Sequence, residues 1–237
     1  DTACVLTCMW DTVLQNGFKS WLADQLGIRD NHLAGRILAF WASLHDIGKA
    51  SPSFQGMDKS VRKQLERRCF SFPTLQDKKP RHDLISAATV PAILQEEYRY
   101  DKKAAKQLGT ILGGHHGVFP RSEAISRASP VAIGAGKWDN ARRELVGTLA
   151  KILSPESTMA HVQCGRLENA ATIAITGLFS VADWIASNED FFKYCDEDVE
   201  PQEYIKRSRE SAKKALCRLR WDSWSPPLEK RHIRDLF

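Results

Sequence analysis

The segment from Leu167 to Ser187 restricts the fold of this chain more than any other. Ile173, Ile175, Leu178, Phe179, Val181, Trp184 and Ile185 leave almost no side of it polar. A helix with that pattern is expected to be buried in the middle of the fold. One acid, Asp183, interrupts the apolar run. A carboxylate in such surroundings is expensive to ionise alone, so it calls for a cation beside it, either an arginine or lysine partner or a metal.

The rest of the chain also reads as helix. Val5, Met9, Leu14, Phe18, Trp21, Leu22 and Leu26 fall at loosely helical spacing over residues 3–26, and Gly27 closes that segment. Asn31 is the expected N-cap of a helix from His32 to Asp46 that turns Leu33, Ile37, Leu38, Phe40, Trp41 and Leu44 inward. A loop is expected over residues 50–54. Arg81-His82-Asp83 opens a helix that Pro91 can kink. A further helix spans Lys102 to Leu112, residues 118–136 read as loop, and helix returns from Trp138 to Leu153 and over residues 201–220. Period-2 alternation of useful length, internal repeats and low-complexity tracts are all missing, so the expected fold class is all-α.

Phe40-Trp41-Ala42-Ser43-Leu44 delivers His45 and Asp46 side by side where a helix stops. An imidazole and a carboxylate from consecutive residues can both reach a divalent metal, and the carboxylate can bridge to a second. Gly48 lets the backbone leave the helix, and Lys49 sets a positive charge where a phosphate would sit. Read as a short pattern, the same residues also describe a surface pair before a helix stop. His82 at a helix start and the doublet Gly114-His115-His116-Gly117 add imidazoles in settings unlike a solvated face.

Composition sets the outer bounds. A chain of 237 residues with 43% hydrophobic and 27% charged residues suits an ordinary globular protein of one larger or two small domains. It has no run of 18 apolar residues, so no membrane span is expected, and its start lacks the basic segment of a secretory leader; Cys4 and Cys8, one helical turn apart, read as reduced thiols, so a cytoplasmic location is expected. Six scattered cysteines without a Cys-x-x-Cys argue against a disulfide framework and a structural zinc site. The net charge of +5 permits an anionic partner. Lys59, Arg62, Lys63, Arg67 and Arg68 form a basic stretch, open to two readings: a solvated helix face or a nucleic-acid track.

The ordered set of motifs resembles the HD-domain nuclease of type I CRISPR interference, the nuclease half of its signature nuclease–helicase. His45-Asp46-Ile47-Gly48-Lys49, Ser51-Pro52-Ser53-Phe54-Gln55, His82, Gly114-His115-His116-Gly117 and Asp183-Trp184-Ile185-Ala186-Ser187-Asn188 carry the likeness, which spans residues 1 to about 190. The resemblance implies an HD-domain helical bundle with a metal site at its centre, built by residues 1–225, and a tail over 226–237 similar to the lead-in to a helicase part. A phosphate-loop motif for the motor itself is missing from the sequence. By the same resemblance His45, Asp46 and Asp183 hold one metal, and Asp46 bridges to a second held by His82, His115 and His116. Mixed imidazole and carboxylate ligands suit Mn(II), Fe(II), Co(II) or Ni(II) and fit Mg(II) poorly. Lys49 is assigned to a non-bridging phosphate oxygen, and Ser187 either supports a ligand or the phosphate, or is plain helix surface.

The family begins with a histidine ligand three residues before an aspartate, and Cys8-Met9-Trp10-Asp11 stands in that place here. Either the Cys8 thiolate ligates, which would tilt the site toward zinc, or water substitutes, or Cys8 is a buried apolar residue and the site is weakened. His32 lies thirteen positions before His45, roughly 20 Å along a continuous helix, too far to replace it. The implied substrate is single-stranded DNA, with a helicase, fused or separate, and a CRISPR surveillance complex as partners of a monomeric domain. Phe54, Phe119 and Trp138 are aromatics that can stack on bases or simply pack. The competing readings are an HD phosphohydrolase acting on nucleotides and a catalytically silent domain that binds DNA or a partner.

Overall fold

A computed structural model describes residues 1–74, 80–153, 167–195 and 199–221, and every regular element among them is a helix. Helix α1 (Thr2–Thr12) and α2 (Asn16–Gln25) lead to α3 (Asn31–Ser43), which ends just before a 3-10 turn at Ile47–Lys49. Short α4 (Pro52–Gln55) and basic α5 (Lys59–Arg67) follow, then the hairpin of α6 (His82–Tyr98) and α7 (Lys102–Gly113). Two further short helices, α8 (Ser122–Ser126) and α9 (Pro130–Ile133), precede α10 (Lys137–Leu153), α11 (Asn169–Ala186) and α12 (Pro201–Arg218).

Local chemistry explains most of the boundaries, and several differ from expectation. The first helical stretch is broken in two, with Gln15 extended ahead of α2. The cap of α3 is Asp30, not Asn31: its carboxylate accepts the His32 N–H. Residues 50–54 are not all loop, because Ser51 caps α4 and Pro52 sits where a helix tolerates it. The expected loop over residues 118–136 holds α8 and α9. Pro91 stays inside α6, and its ring packs where Gly109 of α7 leaves room. The tail proposed for residues 226–237 lies outside the described residues.

The core forms where α1 packs on α3, α11 and α12, and where α6 packs on α7. Leu6, Ile37, Leu38, Phe40, Trp41, Ile85 and Phe179 are fully enclosed in it. Burying one such side chain is worth about 2 kcal/mol, so these contacts fix the bundle. By length and apolar content α11 would pass as a membrane span, yet Ile175, Phe179 and Ala182 are packed inside this bundle. It is not enclosed all round, as its sequence implied. Ile173 is 61% exposed and Trp184 66%, so one face reaches solvent.

Candidate metal centre

Two helix ends are built alike and face each other. After α3 stops at Ser43, the His45 ring turns back so that Nδ1 lies 2.7 Å from the Ala42 carbonyl. After α7 stops at Gly113, His115 Nδ1 meets the Leu112 carbonyl in the same way. Each bond assigns the Nδ1 proton to the backbone and leaves Nε2 for the interior of the site. Their rings meet edge to face with centroids 4.8 Å apart.

A third element joins because Gly48 has no side chain. A Cβ there would strike the His82 carbonyl and the Ser86 N–H, so only glycine allows the 3-10 turn to lie against the start of α6. The contact is sealed by Gly48 N–H donating to Ser86 Oγ at 2.8 Å, and Ser86 Oγ donating to the His82 carbonyl at 3.1 Å. This close approach, more than an exit from the helix, is the work of Gly48. Helix α11 closes the site: Ser180 Oγ donates to the His115 carbonyl at 2.6 Å, and Asp183 reaches His45.

Asp46 stands between two groups of donors. Its Oδ2 is 3.3 Å from His45 Nε2 and 2.6 Å from Lys49 Nζ. Its Oδ1 is 3.1 Å from His82 Nε2, an ion-pair distance outside hydrogen-bond alignment. His45 Nε2 lies 3.1 Å from Asp183 Oδ1, which also accepts from Ser187 Oγ at 3.0 Å. His82 Nε2 and His116 Nε2 are 3.2 Å apart. Two clusters result, His45–His115–Asp183 and His82–His115–His116, each with ligand atoms within 4.8 Å of one another. The shared His115 Nε2 is buried and has no hydrogen-bond partner.

The electrostatics follow from this packing. Burial by itself would lower the His45 pKa, but hydrogen bonds to Asp183 and Asp46 outweigh it and raise it to about 9. His115 is driven the other way: burial, reinforced by the charges of His45 and His116, brings it down to about 4. Partial burial lowers His116 as well, with His82 and Arg81 adding to it. Burial works against ionised Asp46, yet the close approach of His45, His82 and Lys49 holds it well below the usual carboxylate range. Asp183 is lowered in spite of burial by its bond to His45. The proton on His45 Nε2 thus occupies a place between two carboxylates that suits a cation.

Of the residues singled out in the sequence, His45, Asp46, Lys49, His82, His115, His116, Asp183 and Ser187 are brought together. Cys8 is not. It faces a groove between α1 and α12 lined also by Asp11, Arg209, Lys213 and Cys217, and it belongs to neither donor cluster. On α1 it lies one turn, about 6 Å, beyond Cys4, which does line the cavity next to His45. The thiolate route to zinc therefore has no basis among the described residues. Among the described residues no arginine neutralises Asp183; its hydrogen-bond partners there are His45 and Ser187.

Sequence reading missed Ser86, Ser180 and Arg142. Ser180, a polar residue in an apolar run like Asp183, carried a usable signal. Arg142 carried none, since Arg142-Arg143-Glu144 reads as solvated helix. In the fold it is 1% exposed, and its guanidinium donates to the carbonyls of Ala50, Ile133 and Gly134 at 2.8–2.9 Å. It thereby pins the turn that follows Lys49.

An unpartnered buried imidazole nitrogen, facing imidazoles and two carboxylates able to bridge, fits divalent cations of intermediate softness. Such a centre inside an all-helical body, opened by a His-Asp pair at a helix end, defines the HD-type helical domain. The family described as Cas3, HD domain matches residues 1–192, and the chain belongs to that family. It is 30% identical over 202 residues to the CRISPR-associated endonuclease/helicase Cas3 of Thermus thermophilus, covering 83% of this chain and 21% of that protein. With the CRISPR-associated nuclease/helicase Cas3 of Streptococcus thermophilus the identity is 27% over 214 residues, covering 81% and 22%. The chain thus spans about a fifth of the length of these curated relatives. A solved CRISPR-associated protein superposes with a TM-score of 0.83 at 30% identity, over 100% of this chain and 26% of that one. The Thermus thermophilus Cas3 HD domain, solved in the presence of Ni2+, superposes with a TM-score of 0.67 at 25% identity, over 95% and 84%.

Proposed function

We propose that this chain is the nuclease part of a CRISPR nuclease–helicase and hydrolyses phosphodiester bonds of single-stranded DNA at a two-metal centre. The observation that carries the reading is the position of Asp46, one oxygen toward His45 and the other toward His82, between two donor clusters that share His115. His45, Asp46 and Asp183 would hold one divalent ion; Asp46, His82, His115 and His116 would hold the other. Mn(II), Fe(II), Co(II) and Ni(II) match these ligands, and a relative solved with Ni2+ supports the class. Such a pair supplies Lewis-acid activation of the phosphodiester and of the attacking water.

The chain's own groups do the rest. His45 would release its Nε2 proton to solvent where a cation takes that place, and its Nδ1 bond to Ala42 keeps the ring aimed inward. Ser187 holds the Asp183 oxygen that faces His45. Lys49 sits beside Asp46 at the mouth of a cavity of about 760 Å³ that also reaches Asp183, Ser187, Tyr194 and Tyr204. It can meet a non-bridging phosphate oxygen there, where charge grows as the ester is attacked. A helicase that supplies the strand, a surveillance complex that recruits it, a monomeric state and a cytoplasmic location complete the reading.

The test is nicking of circular single-stranded DNA with Mn(II), Co(II) or Ni(II), stopped by EDTA and absent in Asp46→Ala. Release of phosphate or nucleoside from nucleotides without nicks would replace this reading with a nucleotide phosphohydrolase. No turnover of either substrate by the metal-loaded chain would leave a binding domain.

A further inference from the structure

The basic stretch noted in the sequence forms α5, a helix that buries none of its residues. Val61 and Leu65 are half-buried, while Lys59, Arg62, Lys63, Arg67 and Arg68 are all exposed. Within the helix and its cap, the acids that oppose this charge are Asp58, which caps it, and Glu66, which pairs with Arg62 at 2.8 Å. The ridge is joined to the metal centre by alternating rings and cations. Phe54 of α4 meets His82 edge-on at 5.6 Å, and Lys49 Nζ lies over the same ring at 5.7 Å. Two residues on, Gly56 is close enough that a Cβ would touch Phe72, and the Arg62 guanidinium lies 5.3 Å over the Phe72 ring.

We infer that this α4–α5 ridge is the track along which a single-stranded polynucleotide reaches the centre. The inference rests on the phosphodiesterase reading above and adds to it the path of the strand. Cations spaced along a helix match phosphates, and half-buried rings between them offer faces to unpaired bases. A lipid surface fits less well, because an interfacial helix needs an outward apolar face, and here the apolar residues turn toward the body.

The probe is a fluorescein-labelled oligothymidylate of about 20 nucleotides, titrated with the 237-residue chain in EDTA and followed by anisotropy at several salt concentrations. The triple variant Lys59→Ala/Lys63→Ala/Arg67→Ala keeps every metal ligand, and circular dichroism checks that it remains folded. We expect at least a tenfold loss of affinity at low salt, and a slope of log K against log [salt] shallower by about 2, three contacts at roughly 0.7 each. Hydrolysis of bis(p-nitrophenyl) phosphate with Mn(II) stays unchanged. Unaltered affinity and slope alongside intact ester hydrolysis would overturn the track and spare the phosphodiesterase reading. Lack of ester hydrolysis in both proteins would remove that reading, and the track with it. A variant that loses binding to anionic vesicles but keeps the oligothymidylate would assign the ridge to lipid instead.

Discussion

The Nε2 atom of His115 is buried, unpartnered and set beside His82 and His116, so its loss should be felt at the ion those three would hold with Asp46. Measured by elemental analysis of metal-loaded protein, His115→Ala and Asp183→Ala should each retain about one ion per chain, whereas Asp46→Ala, which removes the carboxylate facing both clusters, should retain less than one. Cys8→His should change neither metal content nor hydrolysis, because position 8 faces the α1–α12 groove. Titration of the metal-free protein gives a further expectation. His45 is raised from 6.5 to about 9, so its stabilising contribution is complete below pH 6.5 and is lost as pH rises through 9. His115 is lowered from 6.5 to about 4, so the unfolded chain binds its proton first and stability falls as pH drops from 6.5 toward 4. The thermal midpoint of the metal-free protein should therefore peak near pH 6.5. A midpoint that keeps rising to pH 9 would contradict the His45–carboxylate arrangement.

At the scale of elements, the centre depends on contacts that place one helix end against another. Arg142 of α10 holds three carbonyls, one just after Lys49 and two at the end of α9. Arg142→Met should cost on the order of 3 kcal/mol in urea unfolding, since those buried carbonyls lose their donor. The helices themselves were largely legible in the sequence. Apolar spacing located α3, α6, α7, α10, α11 and α12, because a buried stripe at helical period leaves few alternatives. Less legible were the ends: Asp30 instead of Asn31 as a cap, α4 inside an expected loop, and the break between α1 and α2. Such features turn on single hydrogen bonds and local φ/ψ choices that neighbouring residues can satisfy almost equally well.

For the whole molecule, a bound metal pair would link the 3-10 turn, α6, α7 and α11 across the bundle. Removing it with a chelator should lower the thermal midpoint by several degrees and leave the helical circular dichroism below the transition unchanged. Ligand that binds only the folded state stabilises it by mass action. An unchanged midpoint would mean that the four segments are held by packing alone. The exposed face of α11, with Ile173 and Trp184, shows how far whole-molecule packing overrides a local pattern. A stretch apolar on nearly every side was expected to be enclosed, and the bundle covers only part of it.

By itself the sequence determined that the chain is helical, and through its resemblance to a known family it pointed to His45, Asp46, His82, His115, His116 and Asp183 as candidate ligands for metals of intermediate softness. The helical reading follows from residue type and period, which are local; the ligand set rests on the order of motifs that carries the resemblance. Only the tertiary structure decided that Asp46 stands between two clusters, that His115 lies within reach of both, that Cys8 lies elsewhere, and that Arg142 and Ser180 hold the parts in place. Distances between residues more than a hundred positions apart are set by how helices pack, and no local pattern encodes them.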